Sequence, residues 1–375
     1  MRSPFTYGGT VSKRSFTNRK VEIERLYGNL TGGINTCIIS PRRWGKSSLV
    51  ERVVAKIQRN NKQHRVVMID LFSVNSEGQF LELFAREVIK ASSTKLDDWT
   101  KTTQRVFKKL IPRISFSSAP GMEFGLEFDW DEAKKYRDEI LNLPDVIGKR
   151  KKLKFVICID EFQNIMNYQT GEDLEKAMRA YWQRHKQTTY CLYGSKRHMM
   201  SDIFNDPSRP FYRFGDIIFL QKIELKEWIR FITLRFKQTG KSITKELAAK
   251  IATDMANHSW YVQQFAHFVW LRTKTEVTPD IVKRARREIM MTHQPFFMQT
   301  IDICSRTQLN LLRAVVAGET RMTSTAAMRK HKLGTPNNVS KNLQTLKERD
   351  IIDEYDDTYI FLDPVFELWF KKRIA

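Results

Sequence analysis

Apolar residues along this chain follow two alternating patterns, short unbroken runs and stretches spaced three or four apart, and the alternation predicts strands and helices in turn. Residues 15–30, SFTNRKVEIERLYGNL, place Val21, Ile23 and Leu26 in a helical pattern with Thr17 or Asn18 as its N-cap. INTCIIS (34–40) is a buried strand, and KSSLVERVVAKIQRN (46–60) has helical spacing at Leu49, Val50, Val53, Val54 and Ile57. A second strand, RVVMIDLFSV (65–74), and a helix through Phe80, Leu83, Phe84 and Val88 complete a βαβ unit, which implies a parallel sheet. LKFVICIDEFQNI (153–165) supplies a third strand, ending in Asp160 and Glu161. A fourth, TTYCLYGSKRHMM (188–200), ends in Gly194 and Ser195, with a helix at 171–185 before it, and DIIFLQKI (216–223) is the fifth.

From Leu225 to Met291 only helical spacing appears, so a boundary falls near Gln221. The tail from Ser305 changes again. Helices at 305–319, 323–333 and 335–350, the last with Val339, Leu343 and Leu346 inward, precede a hairpin of IIDEY and TYIFLD, and together they make a winged helix-turn-helix. The expected domains are therefore an α/β domain (1–221), a helical lid (222–304) and a winged helix (305–375). Between residues 94 and 125 the pattern is irregular, and IPRISFSSAPGMEFGLEFD (111–129) reads as an inserted hairpin.

The loop between the first strand and its helix carries the chemistry. Ser40 to Ser47, SPRRWGKS, matches the phosphate-binding pattern G-x-x-x-x-G-K-[ST] at every position but the first. A glycine usually permits the tight turn there, and serine fills the place if its φ is negative, with Pro41 stiffening the next residue. In such a loop the backbone N–H groups and a helix N-terminus surround a phosphate, a lysine reaches the β and γ oxygens, and a hydroxyl holds Mg²⁺. Lys46 and Ser47 are placed for those tasks, with Pro41, Arg42, Arg43, Trp44, Gly45 and Ser48 as the rest of the nucleotide cradle. The second half of the site is Asp160 and Glu161: the aspartate would bind Mg²⁺ with Ser47, and the glutamate would orient and deprotonate the attacking water. Ser195 would hydrogen-bond the γ-phosphate or that water. Arg213, or Arg209 before it, would bring positive charge to the transition state in its own or a neighbouring copy.

Charge and composition narrow the partners. The formal net charge is +22, from 64 Lys and Arg against 42 Asp and Glu, which points to a polyanion, nucleic acid first. Cys37, Cys158, Cys191 and Cys304 are far apart and sit mainly in apolar runs, so they read as reduced core residues and suggest neither a zinc cluster nor a disulfide framework. His258, His267 and His293 have no metal-ligand spacing, and Trp228, Trp270 and Trp369 read as packing. No run reaches the roughly 18 apolar residues of a spanning helix, and the first residues carry no apolar signal core, so a cytoplasmic location is expected.

FTNRKVEIERL, SPRRWGKSSL, FVICIDEFQNI, LYGSKRHMM with PFYRFGD, and HSWYVQQFAHFVW, followed by a winged helix ending in YIFLDPVFELWF, resemble the archaeal-type ATPases of the STAND/AAA+ group of P-loop NTPases. The resemblance implies that Arg19 belongs to the segment flanking adenine, that Asp160 and Glu161 form the Walker B pair, that Ser195 is a sensor and that Arg213 is the arginine finger. Where relatives carry Gly-His-Pro in the lid, this chain has Asn257-His258-Ser259, without the proline that often contacts nucleotide. The chain ends at Ala375 just after the winged helix, so no appended nuclease is implied. The expected protein is a Mg²⁺-dependent ATP-hydrolysing switch whose partners are ATP, double-stranded DNA and further copies of itself. A nucleotide-bound regulatory scaffold that does not hydrolyse, or a protein-interaction module, is the alternative. For DNA, Asn338, Lys341, Asn342 and Thr345 face away from the apolar side of their helix, behind Arg329, Lys330 and Lys332.

Overall fold

Five of the apolar runs pair into one parallel sheet: β1 (Thr36–Ile39), β2 (His64–Asp70), β5 (Lys154–Asp160), β6 (Thr188–Gly194) and β7 (Asp216–Phe219), in the order β2-β5-β6-β1-β7. The coordinates are a computed structural model describing residues 2–9, 17–92, 115–117, 125–127, 136–355 and 357–374. The chain divides into two compact units, one of Arg19–Arg42 and Lys46–Gln221, the other of Met1–Asn18, Arg43–Gly45 and Lys222–Ala375.

The sheet unit has helices on both faces because its central strands are apolar on both, as parallel strands between crossover helices must be. Cys37, Ile39, Ile157, Ile159 and Leu192 share a core with α3 (Glu77–Ser92), α4 (Arg137–Lys151), α5 (Gly171–Trp182) and α6 (Arg197–Asn205). The alternate residues Ile38, Val156, Cys158, Cys191 and Tyr193 pack with α1 (Lys20–Gly32) and α2 (Lys46–Asn60). Cys37, Cys158 and Cys191 are fully buried free thiols, whereas Cys304 is half-buried. Within the inserted segment, β3 (Ser115–Ser117) pairs antiparallel with β4 (Gly125–Glu127), the expected hairpin. The rest of 93–135 lies outside the described residues.

Two features depart from the expectation. Neither Thr17 nor Asn18 caps α1; Arg19 is the N-cap, in the left-handed region at φ 73°, with no side-chain cap bond. Helix α4 was not expected, because it is polar and contains Pro144, which lacks the N–H an interior helical residue gives to the preceding turn. Its buried Ile140, Leu141, Leu143 and Ile147 supply the packing that holds it.

The other unit is helical up to a small hairpin. α7 (Leu225–Gln238), α8 (Lys245–Asp254), α9 (Ser259–Arg272) and α10 (Pro279–Asp302) precede α11 (Arg306–Val316), α12 (Thr325–His331) and α13 (Pro336–Glu348). The antiparallel pair β8 (Ile352–Tyr355) and β9 (Thr358–Phe361) follows, and then α14 (Pro364–Arg373). Each of α8, α10, α11, α12 and α13 starts on a Ser or Thr whose hydroxyl accepts an N–H of the first turn, and Ser305 with Gln308 forms a full capping box. One continuous core contains Trp228, Trp270, Phe297, Val339, Leu343, Leu346 and Trp369, the three tryptophans being packing residues. Among the described residues no helix is long and apolar enough to cross a membrane.

Candidate active site

Strand register builds the site. Ile159 of β5 lies beside Leu192 of β6, so the two strands end as neighbours, β5 at Asp160 with Glu161 next and β6 at Gly194 with Ser195 next. On the other side of β6, Ile39 of β1 pairs with Gly194, which brings the β1 loop and the first turn of α2 to the same edge. Carboxyl ends of parallel strands are where α/β sheets bind ligands.

Lys46 opens α2 with only 6 % of its surface exposed, its Nζ 3.8 Å from Asp160 Oδ1 and 3.9 Å from Glu161 Oε1. Ser47 Oγ donates to Asp160 Oδ2 at 2.9 Å. The Glu161 N–H donates to Asp160 Oδ1 at 2.8 Å, a bend that puts Glu161 itself at φ 49°. Ser195 donates to Glu161 Oε2 through both Oγ, at 2.8 Å, and its backbone N–H, at 3.3 Å. Arg42 Nε in turn donates to Ser195 Oγ at 3.3 Å.

The two carboxylates shift in opposite directions. Burial pushes Asp160 above its ordinary range, and its bonds from Lys46, the Glu161 N–H and Ser47 only partly oppose this. Burial acts on Glu161 in the same sense, but Lys46, Gln163 and Ser195 outweigh it and hold that carboxyl below the usual glutamate range.

Six of the expected site residues, Arg42, Lys46, Ser47, Asp160, Glu161 and Ser195, thus belong to one bonded set. Arg213 takes no part in these bonds; it is exposed, at φ 51°, with its guanidinium 5.1 Å from the Tyr212 ring. Arg209 is committed elsewhere, 2.8 Å from the fully buried carboxylate of Glu175. Arg19 is buried at the start of α1 and paired with Glu22 at 2.9 Å. Ser40 does not take a positive φ, which meets the condition for serine at the first loop position; Pro41 next to it is buried, as is Ser48 on the first turn of α2. Gly45 sits at φ 94°, where a Cβ would be strained. Arg43, Trp44 and Gly45 group with the helical unit: Arg43 lies 4.7 Å over Trp260, and Trp44 meets His258 edge-on and Tyr355 face-on. Ser259 Oγ donates to the Trp44 carbonyl at 3.3 Å.

Sequence reasoning passed over Gln163, which is buried and donates through Nε2 to Glu161 Oε2 at 2.5 Å. Its spacing two residues after Glu161, on the 3-10 turn Phe162–Asn167, was the available signal.

Ser47 Oγ and Asp160 Oδ2 are the hard oxygen donors that suit Mg²⁺, a cation that usually takes only one or two protein ligands and completes its shell with phosphates and water. Among the described residues no group of three or more His, Cys, Asp or Glu could hold a metal ion.

A family model described as "Probable winged helix domain" matches residues 295–372. The Walker-type ATPase of Pyrococcus abyssi superposes with a TM-score of 0.63 at 18 % identity, over 96 % of this chain and 97 % of that one. The ORC2 protein of Aeropyrum pernix, solved in ADPNP-ADP complexes, superposes with a TM-score of 0.55 at 13 % identity, over 99 % of both chains. No curated protein sequence matches the chain. The fold is thus that of these ATPase and ORC2 structures, a parallel P-loop sheet flanked by helices with a C-terminal winged helix.

Proposed function

We propose that the chain binds ATP with Mg²⁺, hydrolyses it, and contacts duplex DNA through its winged helix. The observation that carries the reading is the cluster at the sheet edge: a phosphate-reaching lysine, a hydroxyl paired with an aspartate, and a second carboxylate beside them. The shared fold with a Walker-type ATPase supports it.

Lys46 and the backbone N–H groups of the first turn of α2 hold the β and γ oxygens of ATP, and Ser47 with Asp160 would hold the cation. Bound there, Mg²⁺ would offset charge on those oxygens. Glu161 accepts a proton from water as the water oxygen bonds to the γ phosphorus and the bond to the ADP oxygen breaks. Its carboxyl, held below the usual range, is ionised at neutral pH, as a base must be. Lys46 remains beside it as countercharge.

Exposed Asn338 and Lys341 on α13, with Arg329 and Lys332 exposed nearby in the chain, support the DNA contact, as does the overall +22. Release of phosphate from ATP by the purified chain, with Mg²⁺ or with chelator and with or without duplex DNA, tests the proposal. Mg²⁺-dependent release is expected; none under any of these conditions would overturn hydrolysis.

A further inference from the structure

We infer that Gln163 is a positioning residue for this hydrolysis, pinning one oxygen of Glu161 so that the other is turned toward the phosphate end of the site. The inference rests on the ATPase reading. Glu161 Oε2 receives three donors, Gln163 Nε2 at 2.5 Å, Ser195 Oγ at 2.8 Å and the Ser195 N–H at 3.3 Å. Oε1 instead lies 3.9 Å from Lys46 Nζ, the group that reaches phosphate. A carboxylate with one saturated oxygen presents the other in a fixed direction, which is what a base needs to meet a water in line with the γ phosphorus.

Two further observations show that the amide is held in place. Gln163 is 1 % exposed and its Oε1 is buried with no hydrogen-bond partner, an arrangement that costs stability. An amide that served only to fill space would be better replaced by an apolar side chain, so the donor end accounts for its presence. Residue 194 is also shaped to admit it: a Cβ on Gly194 would fall 1.9 Å from Gln163 Oε1. Because Gln163 is sealed from solvent, it acts through Glu161 and touches no substrate.

Gln163→Met keeps length and volume and removes the N–H. Its kcat for phosphate release should fall about tenfold to a hundredfold, part of the roughly 10²–10⁴ that a positioned base supplies. Affinity for a fluorescent ATP analogue should change less than about threefold, because ground-state binding is untouched. Gly194→Ala, which displaces the amide from the opposite side, should reproduce that split. In a Glu161→Gln background, Gln163→Met should produce no further fall. Unchanged kcat in Gln163→Met, or affinity and thermal midpoint falling in step with kcat, would overturn the inference while leaving the ATPase reading intact if Glu161→Gln is inactive. No release by the unaltered chain would instead remove that reading, and this one with it.

Discussion

Ser47 Oγ donates a 2.9 Å hydrogen bond to Asp160 Oδ2, tying the first turn of α2 to the end of β5. These are the two oxygens that a Mg²⁺ accompanying ATP would share. Ser47→Ala should raise the Mg²⁺ concentration for half-maximal turnover at least about tenfold, the lower end of what loss of a supporting partner costs a metal site. Ser47→Thr should restore it. A Mg²⁺ titration of phosphate release checks this, and an unmoved midpoint in Ser47→Ala would remove Ser47 from the metal site.

Arg209 and Arg213, four residues apart, should behave differently. Glu175 is fully buried against Arg209, so Arg209→Ala leaves an unpaired carboxylate inside the protein and should cost about 3 kcal/mol or more by urea unfolding. Arg213 is exposed, and Arg213→Ala should leave stability within about 0.5 kcal/mol. As an arginine finger it should instead lower kcat roughly 10³-fold. Lost turnover in Arg209→Ala with an unmoved urea midpoint would reverse the two roles.

His185 predicts how the sheet unit responds to mild acid. One ring nitrogen meets the Tyr190 hydroxyl at 2.9 Å and the other Asn142 Oδ1 at 3.0 Å, and burial, partly offset by Asp145, depresses the imidazole to about 4. Below pH about 6.5 the unfolded chain takes up a proton that the folded chain refuses until pH about 4. The contribution is therefore fully present above about pH 6.5 and is lost as pH falls toward 4, up to about 3 kcal/mol in all. Urea midpoints at pH 7.5, 6 and 5 should fall in that order, and more steeply in the unaltered chain than in His185→Gln.

On the winged helix, Lys341→Ala should weaken binding to unrelated duplexes alike and reduce the slope of log affinity against log salt by about 1, the signature of one lost phosphate contact. A change confined to one sequence would instead assign Lys341 to a base edge.

How much of this was legible in the sequence depended on how locally each feature is encoded. β1, β5 and β6 were plain because strands buried on both faces must be unbroken apolar runs; Asp160 and Glu161 stand at the end of one such run, and Lys46 and Ser47 follow another across the loop of residues 40–45. Helix α4 was missed because Pro144 and its polar surface hide the four apolar residues that hold it. The α1 cap was misjudged because the turn there is made by left-handed Asn18 and Arg19, not by a side-chain bond. Gln163 could not be assigned a partner, since its contact with Glu161 arises from a 3-10 turn and from the glycine closing a strand about thirty residues later. Arg209 could not be told from Arg213 in the sequence, because its partner Glu175 lies on the separate helix α5.

The central claim is that Glu161 is the base of an ATP-hydrolysing site, and one paired measurement tests it most directly: nucleotide affinity and phosphate release for the unaltered chain and for Glu161→Gln, with Mg²⁺ present. Glu161→Gln is expected to bind ATP as well as the unaltered chain and to release phosphate at least about 10²-fold more slowly, the loss expected on removing a positioned base. Equal release by the two would contradict it.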